Sequence, residues 1–135
     1  MSRPNWNDIW KRFVLDIAKR SPDPKFQVGA VIVTDDNTQV LSIGYNGDHK
    51  GGPNERSSMS TGCSGFIHAE INALIKMDYN NPAKKKMYLT LSPCPVCAKA
   101  IVNAGIDEVV YDEEYEHGSE GLIILKNAGI VVRTV

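Results

Sequence analysis

Two short clusters of metal-binding side chains, separated by 22 residues, constrain this chain more than anything else in it. The first is His68-Ala69-Glu70 and the second is Pro93-Cys94-Pro95-Val96-Cys97. An imidazole and two thiolates can grip one ion only if the fold brings both clusters to a common point. Cys94 and Cys97 are three apart, so within one helical turn they point the same way. Pro93 and Pro95 fix the backbone where that turn begins, at a position whose N–H lacks a helical partner anyway. Thiolates at a helix N-terminus gain about 0.3–1 kcal/mol each from the macrodipole. His68 and Glu70 would diverge in mid-helix, but they share a site if they sit in a first turn. Both clusters are therefore expected where a strand or loop runs into a helix.

The rest of the chain supplies such junctions. Trp6, Ile9, Trp10, Phe13, Val14 and Ile17 recur at helical spacing and predict an amphipathic helix over about 6–20. Pro22 and Pro24 end it. The β-branched run Val28 to Val33 predicts a buried strand, 35–38 a turn, and Gln39 to Tyr45 a second strand. Residues 46–64 are rich in Gly, Ser, Asn and Pro, which marks a binding loop rather than idle linker. A helix carrying His68 is expected to run to about Tyr79, where Asn80-Asn81-Pro82 stops it. Lys84, Lys85 and Lys86 read as a solvated turn. A strand over Met87 to Leu91, a helix over Pro95 to Ala104 and a strand over Glu108 to Tyr111 follow. Ser119 to Ala128 is a last helix and Ile130 to Val135 a last strand, with Gly105 and Gly129 as helix C-caps. This order predicts one α/β domain over 1–135, a three-layer α/β/α sandwich around a five-stranded mixed sheet with right-handed crossovers after the first hairpin.

Composition narrows the function. The chain has 135 residues, enough for a real core, and 15 basic side chains face 16 acidic ones. That balance lacks the basic excess of a protein that clamps a nucleic-acid backbone, and no apolar run reaches the roughly 18 residues of a membrane span. The first residues do not read as a signal peptide. Two of three cysteines form Cys-x-x-Cys and Cys63 has no disulfide partner, which fits a reducing cytoplasm.

Three ligands leave one corner of a zinc tetrahedron open, the mark of a catalytic site. H-x-E with P-C-x-x-C is the signature of zinc deaminases, in which the glutamate is a proton shuttle and not a ligand. Two thiolates offset the 2+ charge of zinc, so water bound to it is acidified less than in an all-histidine site, and a neighbouring base is needed. Glu70 fills that role if a dry pocket raises its pKa. The alternative is a closed structural knuckle, for which His49, Cys63 or His117 would have to supply a fourth ligand. The catalytic reading is the better fit.

At these residues the chain resembles the cytidine deaminase superfamily, and more narrowly the deoxycytidylate (dCMP) deaminases of bacteria, phages and eukaryotes. The likeness extends to Ser21 through Val33, to Gly44-Tyr45-Asn46-Gly47, to His68 through Ala73 and to Thr90 through Cys94. The resemblance implies zinc on His68, Cys94 and Cys97, with Glu70 as acid and base. It places Asn46 near the sugar hydroxyl and the Ala69 N–H on the pyrimidine carbonyl. Val28, Gly29 and Ala30 should line the base pocket, with Ser92 and Pro93 beside it. For Asn46 the competing reading is an Asn-Gly turn at positive φ.

A 5′-phosphate needs a cation, for which Lys25, Lys50 and Arg56 are candidates, each of them alternatively a solvated charge. Tyr115 is placed to close over the nucleotide or to be a loop aromatic. The family further implies a hexamer activated by dCTP and inhibited by dTTP, with Mg2+ accompanying the triphosphate. The effector site would lie near Gly44, Tyr45, Gly47, Lys50 and Gly51. Some phage relatives carry a second, structural zinc, but position 23 here is Asp and Cys63 stands nearly alone, so one zinc per subunit is expected. The implied reaction is hydrolysis of dCMP to dUMP and ammonia, feeding thymidylate synthesis in the cytoplasm, or in the host cytoplasm if the chain is viral. Deamination of free cytosine or of an RNA base is the alternative. tRNA adenosine deaminases, however, show Glu where this chain has Ser92.

Overall fold

The computed structural model describes residues 2–115 and 119–135, so His117 lies outside the described residues. Helix α1 (Trp6–Ala18) starts at Asn5, whose side chain accepts the Asp8 N–H. Strands β1 (Gly29–Thr34) and β2 (Val40–Tyr45) form the hairpin. Helix α2 (Ala69–Lys76), strand β3 (Lys85–Leu91) and helix α3 (Pro95–Asn103) follow. Strand β4 (Glu108–Glu113), helix α4 (Ser119–Asn127) and strand β5 (Val131–Thr134) complete the chain. The sheet order is β2-β1-β3-β4-β5. β1 is antiparallel to both of its neighbours, whereas β3, β4 and β5 run parallel.

All six residues of β1 are buried, as expected of a strand covered on both faces. Alternation splits them. Val31 and Val33 join Tyr88 and Val110 beneath Trp10 and Val14 of α1. Ala30 and Ile32 join Met87, Leu89 and Val109 on the opposite face, under α2, α3 and α4. Ala69, Ala73 and Ala98 are fully buried there, small enough to let the helices lie close to the strands. Gly44 lets α2 approach β2, since a Cβ at that position would stand 2.5 Å from the Ala69 carbonyl oxygen.

Two local expectations are corrected. α2 ends at Lys76, not Tyr79: Met77 turns extended and buries its side chain, and the Leu74 carbonyl accepts both the Met77 N–H and the Tyr79 hydroxyl. Of the lysine run only Lys84 is exposed outside a strand, as a solvated turn would have it. Lys85 and Lys86 open β3, and Lys86 is only 8% exposed. Its ammonium donates to Asn37 Oδ1 at 2.8 Å and lies 5.7 Å from the Tyr88 ring centre. The Lys85 ammonium donates to the carbonyls of Asn81 and Ala83. Long aliphatic stems bury readily when the charged end finds oxygen acceptors.

The antiparallel pairing of β1 with β3 sets the start of β1 beside the end of β3, with Ala30 opposite Leu89. Val28, Asn46 after β2, Ser92 after β3 and Tyr115 after β4 thus collect at one edge of the sheet. This is the carboxyl end of the parallel strands, where open α/β sheets hold their ligands. Among the described residues no helix is long and apolar enough to cross a membrane.

Candidate active site

His68 is the N-cap of α2, with extended backbone (φ −67°, ψ 152°) and no capping bond from its side chain. Ser, Thr, Asp or Asn would ordinarily spend an oxygen there on the helix N–H groups. A histidine leaves its ring free to face outward from the helix mouth. Cys94 is the N-cap of α3, Pro95 takes the first turn, and the Cys94 sulfur accepts the Cys97 N–H at 3.4 Å. Both metal-binding clusters therefore begin helices, and the two helix mouths converge.

The ligating atoms of His68, Cys94 and Cys97 all lie within 4.8 Å of one another. His68 Nδ1 is 3.2 Å from the Cys97 sulfur and 3.6 Å from the Cys94 sulfur. A tetrahedral zinc with ordinary Zn–N and Zn–S bonds holds such pairs about 3.6 Å apart, so the three side chains fit that ion with little adjustment. Glu70 is not among the converging ligand atoms. It is 4% exposed and faces the same cavity. Of the spare ligand candidates, Cys63 is exposed outside the group and His49 pairs with Asp48 instead.

The electrostatics follow from this crowding. Burial pushes the Glu70 carboxyl above its ordinary value, although its own backbone N–H and the nearby His68 oppose the shift. The hydrogen bond from Cys97 holds the Cys94 thiol down to about 4, against burial and with help from His68 and the Cys97 N–H. Cys97 is pushed up by the negative sulfur of Cys94, by burial and by Glu70. His68 is raised, chiefly by its hydrogen bond with Cys94. Groups that compete to carry negative charge thus crowd one point, a conflict that a bound cation would relieve.

These groups form the floor of a cavity of about 520 Å³, large enough for a small organic ligand. Its walls are mostly apolar, supplied by Phe26, Val28, Leu91, Pro95 and Val96, with Tyr115 at the rim. Asn46, Arg56, Gly62, Ser64 and Ser92 add polar groups. Ala69 lines the floor as the first residue of α2, so its N–H has no partner within the helix. Ser92 Oγ accepts the Tyr115 N–H at 2.7 Å and the Ser92 N–H donates to Glu113. These two bonds fold the segment after β4 across the cavity mouth.

Several expected neighbours stand elsewhere. Gly29 backs onto α1, where a Cβ would meet the Val14 carbonyl at 2.5 Å, and Ala30 is wholly buried in the core. Strand alternation explains both, since only Val28 lies beyond the covered part of the sheet. Pro93 is buried with its carbonyl against Gly121 of α4. Lys25 does not line the cavity: its ammonium donates to the Met59 carbonyl and to Thr61. Lys50 is exposed outside the cavity wall, and Gly51 follows it at φ 85°. Gly44 and Gly47 are buried, Gly47 bridging to Ile67, and the Tyr45 carbonyl accepts from Asn72.

Asn46 lines the cavity without the positive φ of an Asn-Gly turn; that conformation occurs instead at Asn37 and Asn54. Arg56, alone of the three candidate cations, lines the cavity, but it is bound to Asp23 at 2.6 Å in a pair with side chains only 4% and 2% exposed. Asp23, Phe26, Gly62, Ser64, Leu91 and Val96 escaped sequence reasoning. Asp23, Phe26, Leu91 and Val96 stand inside the quoted motifs, and Gly62 and Ser64 inside the 46–64 loop, so the signal for them was membership of a motif or loop and not their own chemistry.

The likeness to known proteins follows the same residues. A family model described as the cytidine and deoxycytidylate deaminase zinc-binding region matches residues 4–113, which include both metal-binding clusters. The mouse deoxycytidylate deaminase is 33% identical over an alignment covering 95% of this chain and 78% of the relative. The deoxycytidylate deaminase of Mycobacterium phage D29 is 34% identical, covering 84% of this chain and 99% of the relative. The solved dCMP deaminase of cyanophage S-TIM5, in complex with dCMP and dUMP, superimposes with a TM-score of 0.84 at 27% identity over the whole of both chains. Since the family match spans most of the chain and contains every ligand and carboxylate of the site, this protein belongs to the cytidine and deoxycytidylate deaminases.

Proposed function

We propose that this chain hydrolyses dCMP to dUMP and ammonia in the cytoplasm, supplying dUMP for thymidylate synthesis. The observation that carries the reading is a buried, uncoordinated carboxylate, Glu70, beside three ligands that fit one zinc at the floor of a cavity of nucleotide size. The cyanophage relative that superimposes over the full chain was solved with dCMP and dUMP, which favours the nucleotide over free cytosine. His68, Cys94 and Cys97 would hold zinc, whose contribution when bound is Lewis-acid activation of the attacking water.

The protein's own residues do the rest. Burial moves the Glu70 carboxyl upward, the direction in which one group becomes better able both to take and to return a proton. It accepts one proton from the attacking water and delivers it to ring N3, then takes the second from the new hydroxyl on C4 and delivers it to the departing amine as the C4 carbonyl forms. The carbon passes through a tetrahedral state bearing both OH and NH2. The Ala69 N–H holds the pyrimidine carbonyl at the mouth of α2. Val28, Leu91 and Phe26 enclose the ring and keep bulk water away, and Tyr115 with Ser92 closes the rim. Asn46 meets the sugar hydroxyl, and Arg56 is the cation nearest the place for the 5′-phosphate.

Control by dCTP and dTTP with Mg2+, on a hexamer, is part of the same reading. With Gly44 and Gly47 buried, an effector would contact Tyr45 and the Lys50-Gly51 turn. Titration of activity with each triphosphate, together with light scattering for mass, tests it; an unchanged rate and a monomer would refute it. For the reaction itself, the loss of ultraviolet absorbance should be compared for dCMP, CMP, deoxycytidine and cytosine. dCMP is expected to react fastest. Turnover of cytosine but not of dCMP would overturn the substrate assignment.

A further inference from the structure

We infer that Asp23 is a positioning residue of the substrate cavity, and that through it the enzyme reads a hydroxyl on the sugar. This deepens the dCMP reading and rests on it. Asp23 is 4% exposed and lies in the turn between α1 and β1, away from the metal ligands. One of its oxygens, Oδ2, accepts from two cavity-wall side chains that come from separate segments: Asn46 Nδ2 at 3.2 Å and Arg56 Nη1 at 2.6 Å. Its other oxygen accepts the Lys25 N–H at 2.8 Å, shaping the turn that carries Phe26 and Val28.

The consequence for Asn46 is specific. Its second amide hydrogen goes to the Phe26 carbonyl at 2.9 Å, and its Oδ1 accepts the Val28 N–H at 2.9 Å. Both donors are therefore spent, and one lone pair of Oδ1 is all the side chain can offer. Asn46 can accept from a ligand but cannot donate to it, so it selects a hydroxyl. An ionised carboxylate at position 23 enforces this polarity because it only accepts. An amide there would pair with either end of the Asn46 amide and would leave the Arg56 guanidinium half satisfied. Arg56 in turn donates to the carbonyls of Ser58 and Ser60, so the same carboxylate anchors the loop that brings Gly62 and Ser64 to the cavity.

The test is steady-state kinetics on the zinc-loaded enzyme with dCMP and with its 2′,3′-dideoxy analogue. The wild type should prefer dCMP by about tenfold in kcat/KM, the worth of one hydrogen bond. In Asp23→Asn, KM for dCMP should rise by about tenfold while kcat changes by roughly threefold or less, and the preference should fall towards one. Asp23→Glu, which keeps an acceptor-only group, should recover part of the preference. Asp23→Asn/Arg56→Gln removes the stranded cation, so its thermal stability should recover while the preference stays lost; the preference is the readout here, because Arg56 also bears on KM through the phosphate. A preference that survives in the single and double variants overturns the inference. So does joint recovery of stability and preference in the double variant, which would mark Asp23 as merely structural. A wild type that turns over dCMP and its dideoxy analogue equally also overturns it. A wild type inert towards dCMP defeats the function itself, and this inference with it; that outcome is visible before any variant is made.

Discussion

Glu70 and Asp23 are both carboxylates with side chains almost wholly removed from water, yet their surroundings drive them in opposite directions. Glu70 has burial and the sulfur of Cys94 against its ionised form, so its pKa rises. Glu70→Ala should therefore retain one zinc per chain by metal analysis while losing about 10²–10⁴-fold in kcat, the usual worth of a general acid–base group. An alanine variant with wild-type turnover would remove Glu70 from the chemistry. Burial also works to raise Asp23, but the Lys25 N–H, the Arg56 guanidinium and the Phe26 N–H outweigh it and hold the group below 3.8. A depressed carboxylate contributes stability that is complete above its unfolded value and is lost as pH falls through its folded value. Asp23→Asn should thus cost about 3–5 kcal/mol at neutral pH, where it strands a buried cation. The gap to wild type should narrow only below about pH 3.8. Urea titrations of both proteins from pH 3 to 7 check this, and a gap independent of pH would contradict it. The ligands and Glu70 were legible in the sequence because metal and proton chemistry tolerate few residue types at few spacings. Asp23 was not: its cation lies 33 residues away, and Ser-Pro-Asp-Pro reads locally as a helix stop.

Elements were legible to the extent that their signals were local. Gly105 and Gly129 mark the ends of α3 and α4 with φ 82° and 84°, as a glycine after alanine predicts. Where tertiary packing decides, local reading fails: α2 stops early where Met77 turns extended and buries its side chain, and two of three consecutive lysines enter a strand. The cavity wall was beyond local reading for the same reason, since Phe26 and Leu91 meet only through the antiparallel pairing of β1 with β3. Contacts between elements also support the metal loop. A Cβ on Gly121 would stand 2.1 Å from the Pro93 carbonyl oxygen, so α4 presses directly on the backbone that leads into Cys94. Gly121→Ala must push these two backbones apart. We expect a loss of about 1–3 kcal/mol in urea unfolding, together with faster release of zinc to a chromogenic chelator. Loss of stability with unchanged zinc release would show that α4 supports the fold without steadying the ligands.

At the scale of the whole molecule, the question is whether the metal builds the fold or only equips it. Small zinc modules unfold on chelation because the ion replaces a core they are too short to form. This chain has two apolar clusters, one on each face of a five-stranded sheet, and neither includes His68, Cys94 or Cys97. Cys97 is buried at the edge of the larger cluster, but Ala98 and Ile101 of the same helix reach the core without it. Removal of zinc by a strong chelator should therefore abolish turnover while leaving the far-ultraviolet circular dichroism nearly unchanged. The loss of stability should be the modest amount given by metal binding to the native state alone. Activity should return when zinc is added back to the folded apoprotein. If chelation instead collapses the dichroism signal, and folding returns only with the metal, the site is structural. The open fourth position on which the deaminase chemistry depends would then have to be closed by a ligand beyond His68, Cys94 and Cys97.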